Sequence, residues 1–162
     1  MSTERLALSR WLALAGVVCA LDQGTKWVAT AQLAYAVPLA VGPGFNLTLL
    51  HNTGAAFSLL HHAGGWQRWL FTSIALVIAG VVVVWLGRLE RRQQWAASAL
   101  VLILGGAIGN LIDRVRLGYV VDFIEIYYRH WSWPAFNVAD AAITVGALLL
   151  ILRGTASVPT RP

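Results

Sequence analysis

Charge is scarce in this chain: only 12% of its 162 residues are Asp, Glu, Lys or Arg. A soluble domain of this length carries about a quarter. The shortage excludes an ordinary water-soluble globule and makes a membrane protein the first class to test. Cysteine is scarcer still. One residue, Cys19, excludes an internal disulfide framework and any CxxC metal or redox site. Its apolar neighbours, with no base nearby, make it a packing residue. There is no GxSxG, no P-loop and no HExxH, so a serine nucleophile elbow, a nucleotide cradle and a zinc-protease helix are all missing. Of the four histidines, His51, His61, His62 and His130, only His61 and His62 are adjacent, and adjacency is poor geometry for chelating one ion. Neither a metal nor another cofactor is expected. The net charge of +5 does not indicate nucleic acid, because the basic residues lie in short groups between apolar runs instead of on one clustered face.

What is present is apolar length. Hydrophobic residues make up 58% of the chain, and the mean hydropathy is +0.67. Trp69–Gly87 and Gln93–Ile112 contain no charge, and each is long enough to cross a hydrocarbon core. A third run extends over about 11–33, interrupted by Asp22 and Lys26, and a fourth over about 135–152. The first run also has the basic start and apolar centre of a cleavable signal peptide. Its apolar character resumes after Lys26, however, and a small-x-small cleavage site is not well placed, which favours an uncleaved span. The tryptophans at 11, 66, 69, 85 and 95 mark membrane interfaces.

Orientation follows from the basic residues. Arg5 and Arg10 precede the first run, Arg88, Arg91 and Arg92 follow the second, and Arg153 and Arg161 follow the fourth. With both termini cytoplasmic, all seven lie inside. The connection 34–67 then lies outside and holds no Lys or Arg, while the outer connection 113–134 balances Arg114, Arg116 and Arg129 against three acids. Partial alternation in FNLTLL, bounded by Gly-Pro-Gly, predicts short strands within 34–67 that fold against the membrane surface. The fold class is therefore an all-α polytopic membrane protein. It has four transmembrane helices in a single domain over 1–162, a small β-rich subdomain on the outer side, and a disordered tail over 154–162.

Polar residues in such a chain are costly and so informative. Counted from Trp11, Asp22 lies roughly 16 Å along the first helix, near mid-depth. Lys26 follows at i+4 on the same face and can pair with it. Gly105 and Gly109 form a GxxxG that admits a neighbouring helix closely. Asn110, Asp113 and Arg114 are spaced to share one face of the third span. Asp122 and Asp140 both belong to the outer side. Each has an ordinary reading: Asp122 pairs with Arg114 or Arg116, and Asp140 is the third helical residue after an Asn137 cap. Together they permit another reading. Two close carboxylates share one proton, so that one activates water while the other protonates a carbonyl oxygen. A proton relay through Asp22, Lys26, Asp113 and Asp140 is the alternative, as is a purely structural subunit. A relay needs charges continuing to the cytoplasmic side, and the inner halves of the later spans lack them.

Five separated motifs resemble one family, the bacterial lipoprotein signal peptidases, or signal peptidase II. They are Asp22-Gln-Gly-Thr-Lys26, Asn52-Thr-Gly-Ala-Ala-Phe57, Gly105 to Arg114 (GGAIGNLIDR), Val121-Asp-Phe123 and Phe136-Asn-Val-Ala-Asp140. The resemblance implies a multi-pass aspartic endopeptidase of the bacterial inner membrane with an outer β-rich cradle and its active site near the outer face. It implies a catalytic pair at Asp122 and Asp140. Asn52, Gly54, Asn110, Asp113, Arg114 and Asn137 match positions that shape the site or hold substrate, and Asp22 and Lys26 match structural polar positions. The implied substrates are prolipoproteins carrying diacylglyceryl-cysteine, cut just before that cysteine. The implied inhibitor is the cyclic peptide globomycin. Membrane lipid is a partner, nucleic acid is not, and the chain is expected to be a monomer.

Overall fold

A computed structural model of the chain describes residues 7–54 and 65–156. Arg5, Phe57, His61, His62 and Arg161 fall outside the described residues. Four long helices are present: α1 (Leu8–Gln32), α2 (Trp66–Arg88), α3 (Gln94–Arg116) and α4 (Val138–Ala156). Each coincides with one of the apolar runs. Strands β1 (Leu39–Gly42), β2 (Phe45–Asn52), β3 (Val120–Tyr128) and β4 (Trp131–Ser132) form one antiparallel sheet in chain order. The class is thus helix-rich with a small sheet. That sheet draws on both connections expected to be outer, not on the first alone.

Two boundaries differ from the sequence reading. Helix α3 continues to Arg116, so Asp113 and Arg114 belong to its last turns and not to a loop. Helix α4 continues to Ala156, into the segment expected to be a disordered tail. Neither extension, 113–116 or 153–156, contains a proline, so nothing there removes a backbone donor and breaks the helix.

Helix α3 is the hub, packing against α1, α2 and α4. Its core side is built from Ala97, Leu100, Val101 and Leu104, which meet Val82 and Leu86 of α2 and Ala15 of α1. Three glycines on α3 set how closely its partners approach. A Cβ on Gly105 would strike the Ala15 carbonyl and Val18 of α1, one on Gly106 the Ala139 carbonyl of α4, and one on Gly109 the Asp22 carboxylate.

The polarity of the bundle is inverted. Asp22 and Lys26 are buried, whereas Leu21, Trp27, Leu76, Val77 and Val81 are exposed. That distribution suits an apolar solvent, in which polar groups must be satisfied internally. Helix α2 and the helical stretch Arg91–Arg116 are long and apolar enough to cross a membrane, and Val138–Leu152 is a shorter apolar helix.

Candidate active site

The sheet register builds one wall of the site. Strands β2 and β3 pair Leu50 with Asp122 and Asn52 with Val120. Asn52 is therefore a diagonal neighbour of Asp122, close enough for a side-chain bond. Its Nδ2 donates to Asp122 Oδ2 at 2.9 Å. The Gly54 backbone N–H donates to Asn52 Oδ1 at 3.0 Å, which fixes which way the amide faces.

The other wall is the start of α4. Asn137 caps it: its Oδ1 accepts the Asp140 backbone N–H at 2.9 Å, and its own N–H lies 3.4 Å from Asp140 Oδ2. This is the reciprocal capping box, with Asp in place of Glu at the third position. The Ala139 N–H is taken by Asp22 Oδ1 of α1 at 2.8 Å.

Three asparagines from three elements join the two carboxylates. Asn137 Nδ2 donates to Asp122 Oδ1 at 2.7 Å and lies 3.3 Å from Asn110 Oδ1. Asn110 Nδ2 donates to Asp140 Oδ1 at 2.8 Å. Asp122 is 2% exposed. Burial, and next the nearby charge of Asp140, push its carboxyl up to about 7 from 3.8, against the pull of its Asn52 and Asn137 bonds and of Lys26.

A raised carboxyl binds its proton more tightly folded than unfolded, so its contribution to stability is complete below 3.8 and lost as pH rises through about 7. Thermal unfolding in detergent between pH 5 and 8 is expected to show wild type losing stability with rising pH more steeply than Asp122→Asn. Parallel curves would show that Asp122 does not carry the proton.

A cavity of about 670 Å³ opens beside this network. Its polar end is formed by Asn52, Asn110, Arg114 and Asp140. The rest of its lining includes Trp131, the segment Trp133 to Phe136, and the α4 face carrying Ala141, Thr144 and Val145. Asp122 adjoins the cavity through Asn52. The Arg114 guanidinium sits over the Phe71 ring, 5.5 Å from its centroid, and reaches the Asn110 carbonyl at 3.4 Å.

Asp113 turns the other way. Lys26 Nζ lies 2.8 Å from both Asp22 Oδ2 and Asp113 Oδ2, and Gln23 Nε2 donates to Asp113 Oδ1 at 2.8 Å. Of the residues singled out in the sequence, Asp122, Asp140, Asn52, Asn110 and Asn137 thus form one connected set. Gly54 orients it and Arg114 lines the cavity, while Asp22, Lys26 and Asp113 form a second set behind it.

Sequence reasoning does not single out Gln23 or the cavity walls Trp131, Trp133 and Thr144. For the two tryptophans the available signal is the alternating Trp-Ser-Trp before Pro134. His51 packs between Tyr35 and Tyr119, at 4.8 and 4.0 Å between centroids, and among the described residues no three His, Cys, Asp or Glu side chains are grouped as a metal site.

The helical body with an apolar exterior, and a cavity lined by Asp140 beside the network that holds Asp122, resembles solved bacterial membrane enzymes. One described as a bacterial membrane enzyme, solved in meso at 2.3 Å, matches with a TM-score of 0.86 and 27% identity, covering 100% of this chain and 97% of its own. A second, at 1.9 Å, matches with a TM-score of 0.82 and 28% identity, covering 98% of this chain and 100% of its own. The family described as signal peptidase (SPase) II matches residues 14–155. The lipoprotein signal peptidase of Acinetobacter baumannii is 54% identical over 142 residues, 88% of this chain and 81% of that protein. The lipoprotein signal peptidase of Pseudomonas aeruginosa is 50% identical over 151 residues, 92% of this chain and 89% of that one. The chain belongs to the signal peptidase II family, and on that ground it is a protease.

Proposed function

We propose that the chain is an aspartic endopeptidase of the bacterial inner membrane that removes signal peptides from prolipoproteins bearing diacylglyceryl-cysteine, cutting just before that cysteine. Family membership supports the removal of signal peptides from prolipoproteins. The observation that carries the finer reading is the bridge through Asn137. Its one side chain bonds Asp122 and caps the helix that presents Asp140.

The chemistry follows from two coupled carboxylates that hold one proton. The ionised member takes a proton from a water as its oxygen attacks the scissile carbonyl carbon. The protonated member gives its proton to the carbonyl oxygen. Collapse of the tetrahedral intermediate breaks the C–N bond, and a proton passes to the leaving α-amine of the cysteine. The products are a signal peptide ending in a free carboxylate and a lipidated chain beginning with an amine. The pair titrates as a unit, so neither role belongs permanently to one residue. Asn52, Asn110 and Asn137 hold the carboxylates, and Arg114 faces the peptide at the polar end of the cavity.

In this reading all four helices span the bilayer, both termini are cytoplasmic, and the carboxylates lie near the outer headgroups. The acyl chains then stay in lipid while the peptide meets the acids and water arrives from outside. The enzyme acts as a monomer, and globomycin blocks the same cavity.

The test uses purified protein and a synthetic prolipoprotein peptide, with and without the diacylglyceryl group, the products being identified by mass spectrometry. The expected result is a single cut immediately before the cysteine in the lipidated peptide only. Equal cutting of both peptides, or a cut elsewhere, would overturn the substrate assignment.

A further inference from the structure

We infer that Lys26 is a positioning residue for the reaction: its ammonium clamps together the two chain segments that carry the reacting carboxylates. The inference rests on the reading that Asp122 and Asp140 react. A pair that only neutralised charge within α1 would need one partner, and Asp22 at i+4 supplies it. Lys26 has three. Its Nζ lies 2.8 Å from Asp22 Oδ2, from Asp113 Oδ2 and from Asn110 Oδ1, which matches the three donors of an ammonium group.

Each acceptor leads to the dyad. The Oδ2 of Asp113 also accepts the Val121 N–H at 3.2 Å, one residue before Asp122. The second oxygen of Asp22, Oδ1, accepts the Ala139 N–H at 2.8 Å, one residue before Asp140. The third partner controls an orientation. With Asn110 Oδ1 held by the ammonium, its Nδ2 is directed at Asp140 Oδ1, 2.8 Å away. A reversed amide would turn an N–H toward the ammonium and present an oxygen to the carboxylate. Lys26 therefore acts through Asp113 on the strand, through Asp22 on the helix, and through Asn110 on the Asp140 carboxylate. Gln23 reinforces the clamp by donating to Asp113 Oδ1 and lying 3.3 Å from Asp22 Oδ2.

Lys26→Met alone leaves two buried carboxylates without their cation, so the informative variant is Lys26→Met with Asp113→Asn. It removes one charge of each sign, and the amide oxygen introduced at position 113 can still accept the Val121 N–H. Activity toward the lipidated peptide is measured per folded molecule, beside wild type and Asp122→Asn. The expected result is a kcat lowered about a hundredfold, as misplacement of reacting groups by about 1 Å produces, with KM changed by less than about threefold. If the double variant does not fold, Lys26→Arg keeps the charge, alters the reach, and is read by the same kcat-against-KM split. Wild-type kcat per folded molecule, in whichever variant folds, with Asp122→Asn inactive, overturns the positioning role alone. Wild-type cutting by Asp122→Asn overturns the dyad reading and this inference with it.

Discussion

Asp122→Asn and Asp140→Asn are each expected to lower cleavage of the lipidated peptide by at least about 10⁴-fold, and the double variant by no more than either alone. General acid–base catalysis contributes about 10²–10⁴ per group, and groups that act as a unit fail together. The substitutions differ in what else they disturb. Both oxygens of Asp122 accept side-chain amides, from Asn137 at 2.7 Å and Asn52 at 2.9 Å. An amide at position 122 sets its own NH₂ against one of these donors, so that neighbour must turn or lose its bond. Asp140 accepts a side-chain donor only at Oδ1 among the described residues, and its other oxygen faces a backbone N–H at 3.4 Å. Asp122→Asn should therefore shift the Tm in detergent at pH 5 more than Asp140→Asn does, although both abolish cutting. Substantial cleavage by either variant, with the protein folded, would return these acids to capping and pairing roles.

Gly109→Ala is expected to prevent a stable fold, while Gly80→Ala leaves one intact. A Cβ at 109 would run into the Asp22 carboxylate, which is fully buried between Lys26 and the Ala139 N–H. Overpacking costs about 1–3 kcal/mol, and pushing one member of a buried ion pair away costs about 3–5 kcal/mol more. A Cβ at Gly80 meets nothing within 4 Å, and replacing a mid-helix glycine by alanine is worth about 0.5–1 kcal/mol. Folded yield and Tm in detergent decide the contrast. Gly109→Ala at wild-type Tm would show that α1 and α3 are not held together at that point.

The parts of this structure legible in the sequence are those with a short period. Charge-free apolar runs locate α2 and α3 to within about one helical turn at each end. The i, i+4 spacing of Asp22 and Lys26 announces a pair that forms at 2.8 Å. The Asn137 cap with Asp140 at the third position is also present. In the sequence it stands as the bland alternative to a reactive Asp140. In the structure the Asn137 side chain that caps α4 also donates to Asp122, so the cap and the contact with the other acid are one feature.

What escapes is long-range or directional. Val-Val-Asp-Phe-Ile-Glu-Ile reads as part of a loop because its alternation is blurred by apolar residues on both faces, which the pairing with β2 explains. Sequence proximity matches Asp122 with Arg114 or Arg116 as a nearby cation, but the sheet register gives it Asn52, 70 positions earlier. Spacing groups Asn110, Asp113 and Arg114 on one face, yet consecutive helical residues diverge by about 100°. Asp113 accordingly turns to Lys26, while Arg114 turns to the cavity.

The order of strands along the sheet has a consequence for how the protein is made. Strands β2 and β3 are neighbours in space, but α2 and α3 lie between them in the chain. Asp22 must wait 117 positions for the backbone N–H it accepts from α4. A chain emerging from the ribosome can close none of these contacts until both intervening helices are in place, and such distant closures come late. Until residues 137–140 have been delivered, the growing chain holds Asp122 with its Asn52 partner but has neither the Asn137 bridge nor Asp140. On the proposed aspartic mechanism, cutting would therefore begin only when the final helix docks.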